Sequence, residues 1–165
     1  MAGRLRYPIS LLGSVVRTGG RAAPLLGEAN DAILCGELGL TREQVEELQT
    51  SVVTHGRRAA PFEVHRHSPK NGNSGGDGAP QRPVLAGVRV IEFGPFIALP
   101  LTGRILAALG ATVIKVETNK LLDQLNYIPP WGNGMGQPEY QALKRRITLD
   151  VRTPEGAALL QRLIG

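Results

Sequence analysis

The sequence is poor in cysteine, in aromatic residues and in long apolar runs. Its single cysteine, Cys35, excludes a disulfide framework and a cysteine-based zinc site. Aromatic residues make up 4% of the 165 positions, too few for a protein that stacks single-stranded bases on aromatic platforms. No apolar run approaches the ~18 residues that a membrane span needs. Acids are missing from the first 27 residues, which hold Arg4, Arg6, Arg17 and Arg21. The apolar stretch between them, Ile9 to Val16, is broken by Gly13 and two serines and leads to no clear cleavage pattern. We read it as folded sequence, and the chain as a soluble cytoplasmic protein with no metal and no membrane partner.

The hydrophobic share, 42%, is enough to build a core and excludes wholesale disorder. The formal net charge is +5, and it is unevenly spread. Residues 1–80 carry nine Lys and Arg against eight acids, and residues 81–165 carry ten against six. A basic chain can meet nucleic acid, an anionic membrane or an anionic small molecule. No nucleic-acid motif accompanies this charge, so a solvated surface is the default reading and no nucleic-acid partner is expected.

Three segments follow from the patterning. Residues 1–54 hold a loop, Arg21 to Gly27, and a helix expected from Glu28 to Leu38 with Ala32, Ile33 and Cys35 inward. A second helix starts at Thr41, where Thr41-Arg42-Glu43-Gln44 fits a capping box, and Val45 and Leu48 give it a narrow apolar side. Two short helices with one apolar strip need another surface to pack on. Residues 55–83 read as a disordered linker, rich in Gly, Pro and Ser. It holds all three histidines, and His65-Arg66-His67 without a third ligand is a pair of solvated side chains rather than a metal site.

Residues 84–165 read as strand, helix, strand: Val88–Phe93, Leu101–Leu109 and Ala111–Glu117, a parallel βαβ unit. Leu101, Ile105, Leu106 and Leu109 are the expected inner face of the helix. An irregular stretch, 118–140, includes Trp131. A third strand is expected at Ile147–Val151, and Thr153-Pro154-Glu155 opens a last helix as N-cap, N1 and dipole-facing acid. The fold class is therefore α/β, a partial Rossmann-like parallel sheet. The C-terminal segment reads as the opening of a larger α/β domain.

Ligands of open α/β sheets bind outside the carboxyl ends of the strands. Those ends are Gly94 to Ala98, Glu117-Thr118 and Arg152. Neither a GxGxxG fingerprint nor a Walker A sequence is present. Lys144-Arg145-Arg146, the strongest basic run, offers a phosphate grip, with a charged strand edge as the commoner outcome. Glu92 and Glu117 end strands, where a carboxylate serves as a base or pairs with a basic neighbour. Cys35 reads as a small core residue.

Three stretches resemble class III coenzyme A transferases, the CaiB–BaiF family. They are Leu85-Ala86-Gly87-Val88-Arg89-Val90-Ile91-Glu92-Phe93, Gly103 to Glu117, and Lys144-Arg145-Arg146-Ile147-Thr148-Leu149-Asp150-Val151-Arg152-Thr153-Pro154-Glu155-Gly156. The first segment, from Arg21-Ala22-Ala23-Pro24 to Gly39-Leu40, resembles the C-terminus of the same family. The chain thus resembles the end of one unit, a linker and the start of another, a tandem duplication or a fragment.

The resemblance implies a Rossmann-like domain in an oligomer, and transfer of coenzyme A between an acyl-CoA thioester and a carboxylic acid. It implies acyl-CoA as the small-molecule partner and a homo- or hetero-oligomer with a transferase unit. The family's catalytic aspartate lies beyond the point matching Gly165, so no residue here, Asp123 and Asp150 included, inherits it, and activity of the chain alone is not expected. The positions matching coenzyme A contacts are Ile97, Ala98, Thr118, Lys144, Arg145, Leu149 and Arg152. Ile97, Leu99, Thr118 and Gln141 depart from the usual residues, which implies weak or lost binding. The alternatives are a non-catalytic assembly half that packs on a catalytic transferase, or a relative of the 2-methylacyl-CoA racemases.

Overall fold

The computed structural model describes residues 23–51, 53–54, 82–118 and 140–165. The expected linker at 55–83 lies outside them except for Arg82 and Pro83, as do the histidines, Asp123 and Trp131. Two helices, α1 (Asn30–Leu34) and α2 (Arg42–Thr50), precede β1 (Arg89–Glu92), α3 (Ala98–Ala108), β2 (Thr112–Glu117), β3 (Arg145–Thr148) and α4 (Pro154–Ile164). The strands form one parallel sheet in the order β1-β2-β3. The register places Glu92 beside Lys115, Lys115 beside Arg146, and Glu117 beside Thr148. This is a partial Rossmann-like α/β fold.

Successive strand residues face opposite sides of the sheet. Ile114, Val116 and Ile147 point to one side and meet Leu159 and Leu163 of α4. Val113 points to the other and meets Ala107 and Ala111. Helices therefore cover both faces, as a parallel sheet requires. Thr153 caps α4 by accepting from the Gly156 N–H, with Pro154 beside it. Gly110 ends α3 at φ 104°.

The first segment joins the same core. Ala29, Ile33 and Val53 are buried with Ile114, Ile147 and Leu159. The capping box at Thr41 and Gln44 is formed in both directions. More telling is the outer edge of β3, which would expose unpaired backbone groups. The Ala29 N–H donates to the Arg146 carbonyl, and the Asp150 N–H donates to the Val53 carbonyl. Asn30 acts as a piece of strand made from a side chain. Its Oδ1 accepts from the Thr148 N–H at 2.9 Å and its Nδ2 donates to Thr148 Oγ1 at 2.8 Å. The Thr54 hydroxyl donates to the Thr148 carbonyl at 2.6 Å. Asn30, Thr54 and Thr148 are all buried, so the edge is closed by polar groups that satisfy one another.

Several elements differ from their sequence expectation. α1 spans five residues rather than Glu28 to Leu38 and passes into hydrogen-bonded turns, and Ala32 is exposed while Ile33 and Leu34 face the core. Cys35 is half-buried at the end of α1 rather than in the core. α3 begins at Ala98, and its most buried residues are Pro100, Gly103, Arg104, Ala107 and Ala108; Leu101, Ile105, Leu106 and Leu109 lie half-buried. β3 begins at Arg145 rather than Ile147, because both arginines find acidic partners there. Among the described residues no helix is long and apolar enough to cross a membrane.

Candidate functional site

All three strands run the same way, so their carboxyl ends share one edge of the sheet. β1 ends at Glu92 and hands the chain to Phe93-Gly94-Pro95-Phe96-Ile97, then to α3. Phe96 has φ 65°, a left-handed conformation that a bulky residue rarely adopts. Such positions mark turns held by their surroundings and concentrate at functional sites. At the N-terminus of α3, Ile97 is the N-cap and makes no side-chain capping bond, and the first turn has no acid. The amides of Ala98 and Leu99 carry the positive end of the helix dipole without a side-chain cap, an arrangement suited to anions.

Thr118 follows β2 at the same edge and is half-buried. Arg152 follows β3. Its side chain is 54% exposed, and its Nε and Nη2 bind Asp150 Oδ1 and Oδ2 at 2.9 and 3.0 Å. That bidentate pair aims the guanidinium and raises its pKa, first through the hydrogen bond and then through the carboxylate's charge. Among the described residues, the edge thus offers an oriented, exposed cation and an uncapped helix N-terminus.

Behind the edge lies a buried ionic layer under α3. Lys144 Nζ sits 2.7 Å from Glu92 Oε2 and donates to Glu92 Oε1 at 3.0 Å and to the Pro100 carbonyl at 2.7 Å. Lys115 Nζ lies 3.8 Å from Glu92 Oε1. Burial pushes Lys144 down to about 8, against the pull of the Glu92 hydrogen bond and charge. Arg146 Nη2 lies 2.6 Å from Glu117 Oε2, its Nε donates to the same oxygen at 2.7 Å, and its Nη1 donates to the Pro24 carbonyl at 3.1 Å. Arg145 pairs with Glu37, which also meets Arg89 at 3.2 Å. The basic run is therefore three separate fasteners. Lys144 ties β1 to α3, Arg145 ties β3 to the turn after α1, and Arg146 ties β2 and β3 to Pro24. Glu92 and Glu117 are the strand-end carboxylates paired with cations.

Of the seven positions singled out in the sequence, Ile97, Ala98, Thr118 and Arg152 come together at the carboxyl edge. Lys144 and Leu149 are buried, and Arg145 is half-buried at the start of β3. Sequence reasoning missed the role of Gly103, whose position inside a helix was the available signal of a close approach. It also missed Asn30 and Thr54, which carry no periodic signal. A cavity of about 520 Å³ opens between α1 and α2, with Asp31, Cys35, Arg42 and Glu46 in its wall. It belongs to the first segment and lies away from the strand ends, so the site is not placed there. Among the described residues no cluster of three or more His, Cys, Asp or Glu side chains could hold a metal ion.

Residues 85–165 match the family model described as CoA-transferase family III. The chain is similar to the succinyl-CoA–D-citramalate CoA-transferase of Chloroflexus aurantiacus, 43% identical over 52% of this chain and 22% of that protein. It is similar to the succinate–glutarate CoA-transferase of Agrobacterium fabrum, 40% identical over 51% of this chain and 23% of that one. It is also similar to the 2-methylfumaryl-CoA isomerase of Chloroflexus aurantiacus, 39% identical over 49% of this chain and 20% of the relative. No solved structure matches the chain. Over residues 85–165 the chain belongs to CoA-transferase family III, and it spans about a fifth of the length of these relatives.

Proposed function

We propose that this chain supplies the coenzyme A-facing edge of a class III CoA-transferase, an enzyme that moves coenzyme A from an acyl-CoA thioester to a carboxylic acid. The observation that carries the reading is the family match over a segment whose three strands end together beside an uncapped helix N-terminus. Coenzyme A is a polyanion. Arg152, aimed by Asp150, and the uncapped N-terminus of α3 answer that charge, with Ile97, Ala98 and Thr118 as the surrounding contacts. Leu149 supports the edge from within, and Arg145 braces the start of β3 through Glu37.

The chain binds coenzyme A weakly and does not turn it over alone, because the strand-end carboxylates Glu92, Glu117 and Asp150 are each held by a cation. Asp150 is committed to Arg152. The supporting test incubates the purified chain with an acyl-CoA and an acceptor acid and follows coenzyme A transfer by chromatography. No turnover is expected; turnover would defeat the non-catalytic part. The chain acts in cytoplasmic acyl-CoA metabolism, as part of an oligomer with a transferase unit. The tail-and-head division, 1–54 and 84–165 across a linker at 55–83, belongs to the same reading.

A second reading has its own support. Phe93, Phe96, Ile97 and Leu99 are all exposed around the strand-end loop, and an assembly half that packs on a catalytic transferase would cover them. Co-purification with a complete transferase favours this reading, and a lone folded monomer in its presence counts against it. The isomerase among the relatives keeps an isomerase- or racemase-type parent as an alternative.

A further inference from the structure

One ammonium group spans the loop that follows β1. Glu92 is the last residue of β1, and Pro100 lies in the first turn of α3. Lys144 Nζ bonds both at once, the Glu92 carboxylate at 2.7–3.0 Å and the Pro100 carbonyl at 2.7 Å. Phe93 to Leu99 run between those two anchors. Six of these seven residues are exposed, only Gly94 being partly covered. The loop therefore draws little order from burial, yet it holds Phe96 at an unfavourable positive φ. Something outside the loop must over-determine its shape. A compact ammonium with three donors suits a carboxylate and a carbonyl side by side, where a planar guanidinium does not.

We propose that Lys144 is a positioning residue for the loop after β1, fixing residues 93–99 and the first turn of α3 by clamping Glu92 to Pro100. This rests on the reading of that loop as the coenzyme A-facing one. A direct grip on phosphate is a different role, and the Lys144 side chain has no exposed surface for it. The same clamp accounts for the close approach of Gly103, where an added Cβ would overlap Glu92 Oε2 and lie 3.2 Å from Lys144 Nζ.

The test is amide hydrogen exchange on the full chain, comparing wild type with Lys144→Met. Exchange over the first hydrogen-bonded turn of α3, residues 101–104, should quicken about tenfold or more, the scale of one lost charge-assisted hydrogen bond. Residues 145–150 and α4 should change far less. Unchanged protection over 101–104, or a uniform increase along the chain, would overturn the proposal. If Lys144→Met does not fold, the Glu92→Gln/Lys144→Met double variant removes the buried Glu92–Lys144 charge pair together and still severs the Pro100 tether. It should show the same local loss, and its absence there would also overturn the proposal. Coenzyme A titrations separate the two claims. A wild-type chain that does not bind, with local loss in the variant, removes the ligand reading and leaves the clamp. Equal binding by wild type and variant removes the positioning role.

Discussion

The Glu92 carboxylate lies directly against the backbone of Gly103, so α3 comes closer to the sheet than any residue with a Cβ would allow. Glycine inside a helix costs about 1 kcal/mol relative to alanine. That cost is accepted here because it lets a buried carboxylate reach Lys144. Gly103→Ala should therefore destabilise the chain by about 1–3 kcal/mol, the usual range for overpacking. Urea unfolding checks this, and a gain of stability would show that the approach is not required.

Lys144 gives a pH signature. Its pKa is about 8 in the fold against 10.5 for an exposed lysine. Between those values the unfolded chain binds more protons, so this group makes stability rise with pH across that window. The desolvation cost is fully present below about pH 8 and gone above about 10.5. The stability difference between wild type and Lys144→Met should accordingly grow from pH 7.5 to pH 10. Chemical unfolding at the two pH values measures it. A difference that shrinks would mean that pairing with Glu92 outweighs the burial of the ammonium.

The closed edge of β3 makes a separate prediction. Asn30→Ala leaves the Thr148 N–H buried without its acceptor and removes the donor to Thr148 Oγ1. The expected loss is about 1–3 kcal/mol, and the uncovered strand edge should promote self-association. Unfolding curves and light scattering report the two effects. Thr54→Val, which removes the donor to the Thr148 carbonyl, should cost less, about 1 kcal/mol.

Phe96 holds a left-handed conformation while 45% exposed. Asparagine tolerates that region far better. Phe96→Asn should raise the melting temperature, by a gain of about 1 kcal/mol at most. A fall of similar size would mean that the ring's contacts outweigh the backbone strain.

Elements with local signals were legible in the sequence. β2 was expected at 111–117 and runs Thr112–Glu117, since an apolar β-branched strand buried on both faces has few alternatives. The caps at Thr41 and Thr153 formed because their partners lie three residues away. Features that depend on distant partners were not legible. The buried face of α3 is built mainly from Gly103, Ala107 and Ala108 rather than its leucines, because closeness to the sheet selects small residues there. β3 extends back through Arg145 and Arg146, whose partners Glu37 and Glu117 come from elsewhere in the chain. At the site, Arg152 was visible as a charge after a strand, and the Asp150 fork that aims it became apparent only in the fold.

The central claim is that the carboxyl edge of this sheet meets coenzyme A through Arg152. Calorimetric titration of the purified chain with coenzyme A, alongside Arg152→Ala, tests it most directly. The account predicts weak saturable binding by the wild type, reduced about tenfold by the loss of one charge-assisted contact. Absence of binding by the wild type, or binding that Arg152→Ala leaves unchanged, would contradict it.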